Sequence, residues 1–242
     1  RSALAYAKER KQGRAVAERD LTTPMIAIIE HADVRRMLLR AKSFVEGGLA
    51  LCLYAARLVD DTKATESTAL EAHALIDLLT PIVKAWPSDY ALEANSIAIQ
   101  VYGGAGYTRD FPVERLWREN RINAIHEGTN GIQAMDLLGR KLISDKGRLF
   151  ALLTTRVEKT LASAHQIEAL KPLADVLQIR WAKFLPALKQ VATVFENDAE
   201  LALANAYLLL DAMGHAVVAW LWLDQAVCAE GLLAQADLSE SR

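Results

Sequence analysis

Apolar residues recur at helical spacing through the first long segment of the chain. Between residues 31 and 61 they fall at positions 34, 37/38, 41, 45, 48/49, 52, 56 and 59. A period of three to four residues keeps them on one face and predicts a helix of about eight turns. Asp33 offers a capping residue at its start.

Two further helices are predicted before the first glycine cluster of the chain. After the polar break DTKATEST, one helix is expected from about residue 69 to 85, mildly interrupted by Pro81. Trp86-Pro87-Ser88-Asp89 is expected to end it, because a residue that precedes proline disfavours helical geometry. The next helix runs from about residue 89 to 102 and must stop at Gly103-Gly104-Ala105-Gly106.

The middle of the chain predicts two shorter helices with a joint between them. Pro112 suits the first turn of a helix that includes VERLWRENRI. Thr129 or Asn130 can cap the next helix, through GIQAMDLLGRKLI. His126-Glu127-Gly128 falls in the joint.

The last hundred residues continue the helical pattern. Apolar positions 150, 153, 157, 161 and 164 form one stripe, and a second helix after Pro172 is expected to kink at Pro186. A last helix is predicted from Asp198 to about Leu233. Alternation at period two is missing, so the fold class is all-α, an antiparallel helical bundle followed by an additional helical domain. We place the domains at residues 1–144 and 145–242.

Composition narrows the classes of function. The 242 residues are 52% hydrophobic and 24% charged, which is enough apolar surface for a globular core. A net charge of -2 provides no basic field for nucleic acid, so no nucleic-acid partner is expected. The longest charge-free apolar stretch, Ala212–Leu223, is shorter than the ~20 residues that span a bilayer. We expect a soluble protein without a membrane span.

Cysteines, histidines and tryptophans suggest packing rather than chemistry. Cys52 and Cys228 sit in apolar helical runs and are interpreted as buried small hydrophobes. The histidines at 31, 73, 165 and 215 lack ligand spacing, so no metal site is predicted. Trp220 and Trp222 mark either a partner surface or, as we favour, a helix buried on most sides.

The densest candidate chemistry lies between Gln100 and Arg140. A glycine-rich turn lets backbone N–H groups approach a ligand, and the helix after Thr129 adds a positive dipole end. On these residues alone, two simpler readings stay open: the glycines end a helix, and Glu127 is a solvated charge.

The whole string QVYGGAGYTRDFPVERLWRENRINAIHEGTNGIQAMDLLGRKL resembles the signature of the acyl-CoA dehydrogenase family. That signature has a Gln, a Gly-Gly-x-Gly turn, Pro-Val-Glu-Arg, an Arg-rich helix, Glu-Gly-Thr and Ile-Gln, in this order. Upstream, YAKERKQG resembles the family's Tyr-Ala-x-Glu-Arg segment, although Gly13-Arg14 replaces its usual aromatic-Gly pair. The resemblance covers residues 3 to about 142.

The resemblance implies a reaction and a catalytic base. In this family a carboxylate removes the α-proton of an acyl-CoA thioester while FAD accepts the β-hydrogen as hydride, giving a trans-2-enoyl-CoA. Glu127 corresponds to that base, and its backbone N–H to a donor for the thioester carbonyl. Gly128 corresponds to the residue that leaves room for the substrate thioester.

The resemblance also implies FAD contacts and an assembly. The family's residues that reach the flavin of a second subunit correspond to Arg10, Gln12, Gln100, Gly103 and Gly104. The family's residues that contact the flavin of their own subunit correspond to Thr129 and Gly131. A homodimer or a dimer of dimers is therefore implied. For Arg10, an ion pair with Glu9 or another neighbour is an equal alternative. Arg115, Arg118 and Arg121 are expected to form a structural ion-pair face.

Two departures and one extension accompany the resemblance. His126 stands where the family usually has an aromatic residue, and Ala32 replaces a common proline. Residues beyond about 145 resemble the extra helical domain of longer bacterial-type members, including those that act on 3-methylthiopropanoyl-CoA.

The chain begins at Arg1, in an amphipathic segment without an initiator Met. The family's amino-terminal helical domain and middle β-domain are not among the 242 residues, so we expect this chain alone to be inactive. The implied acceptor is an electron-transferring flavoprotein, and the expected location is cytoplasmic. A non-catalytic helical assembly module and an oxygen-using acyl-CoA oxidase are the alternatives.

Overall fold

The computed structural model describes residues 1–126 and 128–240, with side chains up to residue 233. Within these residues the chain is 80% helical and without strands, so the prediction of an all-α fold is confirmed. Only an isolated antiparallel bridge, between Lys11 and Ala27, departs from helix and loop there. The α-helices are α1 (Ser2–Glu9), α2 (Ala32–Asp61), α3 (Glu66–Tyr102), α4 (Val113–Asn120), α5 (Asn130–Met135), α6 (Arg148–Ala164), α7 (Lys171–Trp181), α8 (Phe184–Phe195), α9 (Ala199–Leu203) and α10 (Ala206–Glu240).

The helices divide between two compact units. Unit 1 is Arg1–Glu46 with Pro87–Glu127, and unit 2 is Gly47–Trp86 with Gly128–Arg242. Both α2 and α3 contribute a part to each unit. The division differs from the predicted domains 1–144 and 145–242, which group residues by sequence and stay a prediction.

The core of unit 1 forms around the carboxyl-terminal part of α3. Its members are small or apolar side chains of four elements: Ala3, Ala7, Ile28, Ile97, Val101, Tyr102 and Val113. The rings of Tyr6 and Tyr102 stack with their centroids 4.3 Å apart, and Phe111 meets Tyr6 edge-on at 5.8 Å. Such aromatic contacts add specific geometry to the area that they bury, so they fix α1 against the end of α3.

The core of unit 2 is larger and is built around α10. The fully buried side chains come from α2, α3, α6, α10 and the segment after α5: Leu51, Leu75, Leu78, Leu79, Ile82, Trp86, Leu137, Leu138, Leu153, Val157, Leu210 and Met213. A Cβ atom at Gly214 would lie 2.4 Å from Cδ1 of Trp86. The tryptophan ring therefore packs directly on the backbone of α10, which only glycine permits.

The predicted long helix is confirmed as α2, although it begins at Ala32, so that Asp33 lies in its first turn and is not its cap. The predicted break at Trp86-Pro87-Ser88-Asp89 is wrong. One helix, α3, continues through both Pro81 and Pro87. A proline inside a helix loses one backbone hydrogen bond and crowds the preceding turn. Trp86 and Ser88 are only 2% and 7% exposed, and burial on both sides of Pro87 offsets that cost.

The central and carboxyl-terminal helices follow the predicted order with three local differences. α5 continues directly into a π-helical stretch, Asp136–Ile143. The predicted kink at Pro186 is instead a break between α7 and α8, which places this proline in the first turn of α8, where a missing N–H costs nothing. The predicted last helix is also divided, into α9 and α10. Asp198 caps α9, because its side chain accepts a hydrogen bond from the N–H of Leu201 at 2.9 Å.

Two packing predictions are corrected. Cys52 and Cys228 are both exposed rather than buried, because each lies on the outer side of its helix. Partial burial nevertheless raises the pKa of the Cys52 thiol. Trp220 is buried as predicted, at 3% exposure, but Trp222 is 37% exposed. The two tryptophans are two residues apart in one turn of α10, so they lie on different sides of the helix, Trp220 in the core and Trp222 partly exposed.

The stretch Ala199–Leu233 is long and apolar enough to pass a length and composition test for a membrane span, with a mean hydropathy of 1.5. Within its most apolar window, 44% of the residues are buried in the protein. Leu210, Met213 and Val217 are among these core side chains. The core of unit 2 therefore accounts for part of the apolar character of α10.

Replacing Gly214 by Ala tests the contact between α10 and Trp86. We expect the Gly214→Ala variant to lose about 1–3 kcal/mol of unfolding free energy, because the new methyl group cannot fit beside the indole ring. Gly231 is a matched control on the same helix, since a Cβ there meets nothing within 4 Å. Gly231→Ala should gain about 0.5–1 kcal/mol from helix propensity. Equal effects in urea titrations would contradict the close contact.

The hydroxyl of Tyr54 gives a pH-dependent prediction. It is buried without a hydrogen-bond partner among the described residues, and its ring meets Trp220 edge-on at 5.3 Å. Burial raises the pKa of Tyr54, with Arg156 lowering it and Asp224, Glu71 and Asp61 raising it further. The neutral phenol therefore stabilises the fold below the ordinary pKa of about 10, and that stability is lost as pH rises through the higher folded value.

We expect Tyr54→Phe to change stability by no more than about 1 kcal/mol at pH 7, because no hydrogen bond is removed. At alkaline pH the variant should lose less stability than the wild-type protein. The measurement is the free energy of urea unfolding between pH 7 and 11. Parallel curves for the two proteins would show that Tyr54 ionises equally easily when folded and unfolded.

Candidate active site

The diglycine turn predicted to contact flavin leaves an open backbone surface. α3 ends at Tyr102 and continues as a 3-10 turn, Gly103–Tyr107, with Gly103 at a φ of 60°. A Cβ placed on Gly103 or Gly104 meets nothing within 4 Å. At Gly106 it would lie 2.8 Å from the carbonyl oxygen of Ile99. Gly106 therefore packs the turn against α3, while the first two glycines face open space.

The segment after α1 is held by backbone hydrogen bonds. The carbonyl of Arg10 accepts the N–H of Ile28 at 2.8 Å, and the N–H of Gln12 donates to Ile26 at 3.0 Å. Nε2 of His31 lies 2.8 Å from the carbonyl oxygen of Gln12. This histidine had no predicted role, and no local signal could have revealed one, because it lies 19 residues from its partner.

The side chains of Arg10 and Gln12 are exposed and form no hydrogen bond or ion pair with residues 1–126 or 128–240. The alternative in which Arg10 pairs with Glu9 is therefore not observed. With their backbone fixed and their side chains unengaged, both residues are available to a ligand.

The stacked rings of Tyr6 and Tyr102 bring α1 and the end of α3 together, and predicted flavin contacts follow each of these helices. Arg10 follows Tyr6 by four residues, and Gly103 follows Tyr102 directly. Gln100, in the last turn of α3, is exposed and lines a small cavity of about 220 Å³ together with Arg36, Met37, Arg40, Glu93, Ser96 and Ile97. Arg10 and Gly103 thus follow two rings that stack on each other, whereas Gln100 lies at a cavity between α2 and α3.

Unit 2 holds the remaining predicted contacts at the start of α5. Gly128 has a φ of 85°, a conformation that other residues rarely adopt. Thr129 is the N-cap residue, as predicted, and its carbonyl accepts the N–H of Gln133 at 3.1 Å. The Thr129 side chain makes no capping hydrogen bond, and Gly131 is exposed. These three positions present backbone and one hydroxyl at the beginning of a helix.

The predicted base, Glu127, lies outside the described residues. The residue before it, His126, is exposed, with Nε2 3.3 Å from Oδ1 of Asn123. The residue after it is the positive-φ Gly128. The assignments of Glu127 as base and of Gly128 as the substrate contact stay predictions.

Two of the three arginines that were predicted to form a structural ion-pair face do so. Arg115 pairs with Glu119 at 3.6 Å and Arg118 with Glu114 at 3.2 Å, all on the helix surface. Arg121 has no ion pair within the described part of the chain. A hydrogen bond that the sequence did not predict joins α4 to α3. In it, Nε1 of Trp117 donates to Oγ of Ser96 at 2.8 Å.

The chain is thus all-helical, with a glycine-rich turn after α3 and with Gly128 and Thr129 just before α5. Two family models match the chain in succession. Acyl-CoA dehydrogenase, C-terminal domain, matches residues 1–143, and acetyl-CoA dehydrogenase C-terminal like matches residues 153–241.

Curated relatives and solved structures agree with these matches. 3-Methylmercaptopropionyl-CoA dehydrogenase of Ruegeria pomeroyi is 34% identical over 237 residues, which are 96% of this chain and 40% of that protein. Butyryl-CoA dehydrogenase of Syntrophomonas wolfei is 32% identical over 236 residues, 97% of this chain and 38% of that protein. The structure of Caenorhabditis elegans ACDH-11 in complex with C11-CoA superposes with a TM-score of 0.67 at 20% identity, over 94% of this chain and 39% of that chain.

The chain therefore belongs to the acyl-CoA dehydrogenase family. It spans about 40% of the length of the curated relatives given above. The predicted resemblance, including the longer bacterial type with an extra carboxyl-terminal domain, is confirmed.

Substitutions in the diglycine turn separate its structural glycine from its open ones. We expect Gly106→Ala to cost about 1–3 kcal/mol of unfolding free energy, because its methyl group would meet the backbone of Ile99. Gly104→Ala should stay within about 0.5 kcal/mol of wild type, since the position is open and its φ is not positive. Thermal unfolding followed by circular dichroism measures both. A large loss from Gly104→Ala would show that this glycine is also packed.

Proposed function

We propose that this chain is the carboxyl-terminal part of an FAD-dependent acyl-CoA dehydrogenase that converts an acyl-CoA into a trans-2-enoyl-CoA. The observation that carries the proposal is the intact Glu127-Gly128-Thr129 sequence within the span matched by the family model, with Thr129 at the N-cap position of α5. A module that had lost catalysis would have no need of this carboxylate, which argues against the non-catalytic alternative.

The residues proposed to hold FAD suit a flat, phosphate-bearing group. Gly103 and Gly104 leave their backbone open to close approach, and the Arg10 guanidinium has no carboxylate partner among the described residues. Arg is well suited to bind phosphate through two parallel hydrogen bonds. Gln12 and Gln100 would add amide donors from the same unit.

The proposed contacts to the flavin of the same subunit come from the start of α5. The Thr129 hydroxyl is not used for capping, and Gly131 exposes its backbone in the first turn. First-turn N–H groups of a helix have no partner within it, so they can donate to a ligand. Because the two sets of contacts serve different flavins, a homodimer or a dimer of dimers would complete each site.

Glu127 is the proposed base. Its carboxylate takes the α-proton of the thioester, so the α C–H bond breaks and its electron pair enters the forming α,β double bond. FAD supplies the acceptor for the β-hydrogen and its electron pair. The N–H of Glu127 would donate to the thioester carbonyl and stabilise the charge that develops on its oxygen. Gly128, without a side chain, leaves room for the thioester.

The partners of the whole enzyme follow from this chemistry. The substrate would be an acyl-CoA, and an electron-transferring flavoprotein would accept the electrons removed from it. We propose a cytoplasmic location in fatty acid metabolism. An oxidase would instead pass the electrons directly to oxygen, and the assay below distinguishes the two.

The test is dye reduction by the enzyme assembled with the family's amino-terminal and middle domains, using a panel of acyl-CoAs. We expect Glu127→Gln to reduce kcat by at least about 100-fold while FAD content stays unchanged, because the amide cannot accept the proton. The matched control is Glu119→Gln on the surface of α4, which should keep wild-type rates.

Gly104→Ala tests the flavin contact separately. A methyl group on the open turn should lower FAD retention without lowering thermal stability of the chain.

Equal turnover by wild type and Glu127→Gln would refute the assignment of Glu127 as the base. Oxygen consumption without an added acceptor would identify an oxidase.

A further inference from the structure

A large apolar cavity lies within unit 2, between α10 and the pair α7 and α8. Its volume is about 830 Å³, within the ~300–1,000 Å³ of small-molecule sites. The walls are almost entirely hydrocarbon, with Leu177 and Phe184 on one side and Ala216, Trp222 and Leu223 on the other.

The cavity is open because the side chains of α10 that face it are small. Ala212, Ala216 and Ala219 recur at spacings of four and three residues, so they share one face of the helix. Larger side chains on α7, such as Leu173 and Val176, stand opposite them and are more than half exposed. Apolar side chains that line a concave surface are typical of ligand-binding grooves.

The fully charged side chains that line the cavity are both cations. Arg180 and Lys183 line it, and neither forms an ion pair with any described residue. His215 also lines it and lies 3.8 Å from Asp211. Carboxylates are missing from the lining residues that the structure describes. A ligand that complements this site therefore has a long apolar part and an anionic head.

A second copy of the chain fits these charges less well. In a symmetric dimer the same patch meets itself, so its net positive charge would be brought against the same charge on the other copy, with no lining carboxylate to offset it. A small amphiphile places its anionic head at the cations and its chain against the alanine face, so both features of the cavity are matched.

We propose that this cavity binds one fatty amphiphile with an anionic head, its chain lying along α10 and its head at Arg180 and Lys183. A free fatty carboxylate and a fatty acyl-CoA share this chemistry. The proposal does not rest on the proposed dehydrogenase function, because none of its residues belongs to the predicted catalytic or flavin contacts.

Calorimetric titration of the 242-residue chain with dodecanoate, below its micelle concentration, tests the proposal. We expect saturable binding with a stoichiometry of one and a change in tryptophan fluorescence, since Trp222 lines the cavity. Each methylene added from octanoate to dodecanoate should tighten binding by up to about fourfold. Dodecyltrimethylammonium, with the opposite charge, should bind at least tenfold more weakly. Dodecanoyl-CoA is titrated in parallel, and the tighter of the two anionic ligands identifies the source of the amphiphile.

Two variants assign the binding to this cavity. Arg180→Glu combined with Lys183→Glu should weaken dodecanoate at least tenfold and strengthen dodecyltrimethylammonium. Ala219→Phe should fill the cavity and block both ligands. The matched controls are Lys189→Glu on α8 and Ala162→Phe on α6, which are exposed and do not line the cavity. Circular dichroism verifies that each variant is folded.

Three results would overturn the proposal. One is failure of dodecanoate to bind the wild-type chain. Another is binding that neither the charge reversal nor Ala219→Phe alters. The third is sedimentation showing a wild-type oligomer that Ala219→Phe dissociates while dodecanoate does not bind, because the cavity would then be an interface between copies.

Discussion

The contact between Trp86 and Gly214 places an indole ring directly against the backbone of α10. It brings α3 and α10 together at a distance that any side chain on Gly214 would prevent. Gly47 on α2 makes a similar close contact with α10. A Cβ there would lie 2.6 Å from Cγ1 of Val218 and 3.1 Å from Nε1 of Trp222. Close-packed interiors do not accommodate such overlaps without displacement of a helix. The position of α10 therefore depends on the two glycines, and both the core and the apolar cavity depend on α10.

Polar groups inside unit 2 are placed where they satisfy one another. Nε1 of Trp220 donates to Oγ1 of Thr160 at 2.9 Å, and that hydroxyl lies 2.8 Å from Oδ1 of Asp224. The ammonium group of Lys141, only 6% exposed, pairs with Asp77. A buried cation without such a partner would be costly, so the pair constrains how the π-helical segment lies on α3. These contacts add orientation to a core whose area is almost wholly apolar.

The candidate site depends on backbone conformation more than on side-chain packing. Gly103 and Gly128 both adopt positive φ, the first at the end of α3 and the second just before α5. The motif spacing revealed these glycines and Thr129, because a turn residue and an N-cap residue are local signals. The anchoring of Gln12 by His31 and the packing of Gly106 on Ile99 gave no such signal, since they depend on chain segments that meet only in the folded protein.

Local pattern alone determined the helical class, the extent of α2, the start of α5 at Thr129 and the family signature. Each rests on interactions between residues a few positions apart, which sequence displays directly. Tertiary structure alone decided that α3 passes through Pro87, that the helix near Pro186 breaks, and that Cys52 lies on the outer side of α2. In each case a local preference competed with burial against distant segments. Burial prevailed at Pro87 because Trp86 and Ser88 lose almost all contact with water, a gain that no neighbouring residue in sequence reveals.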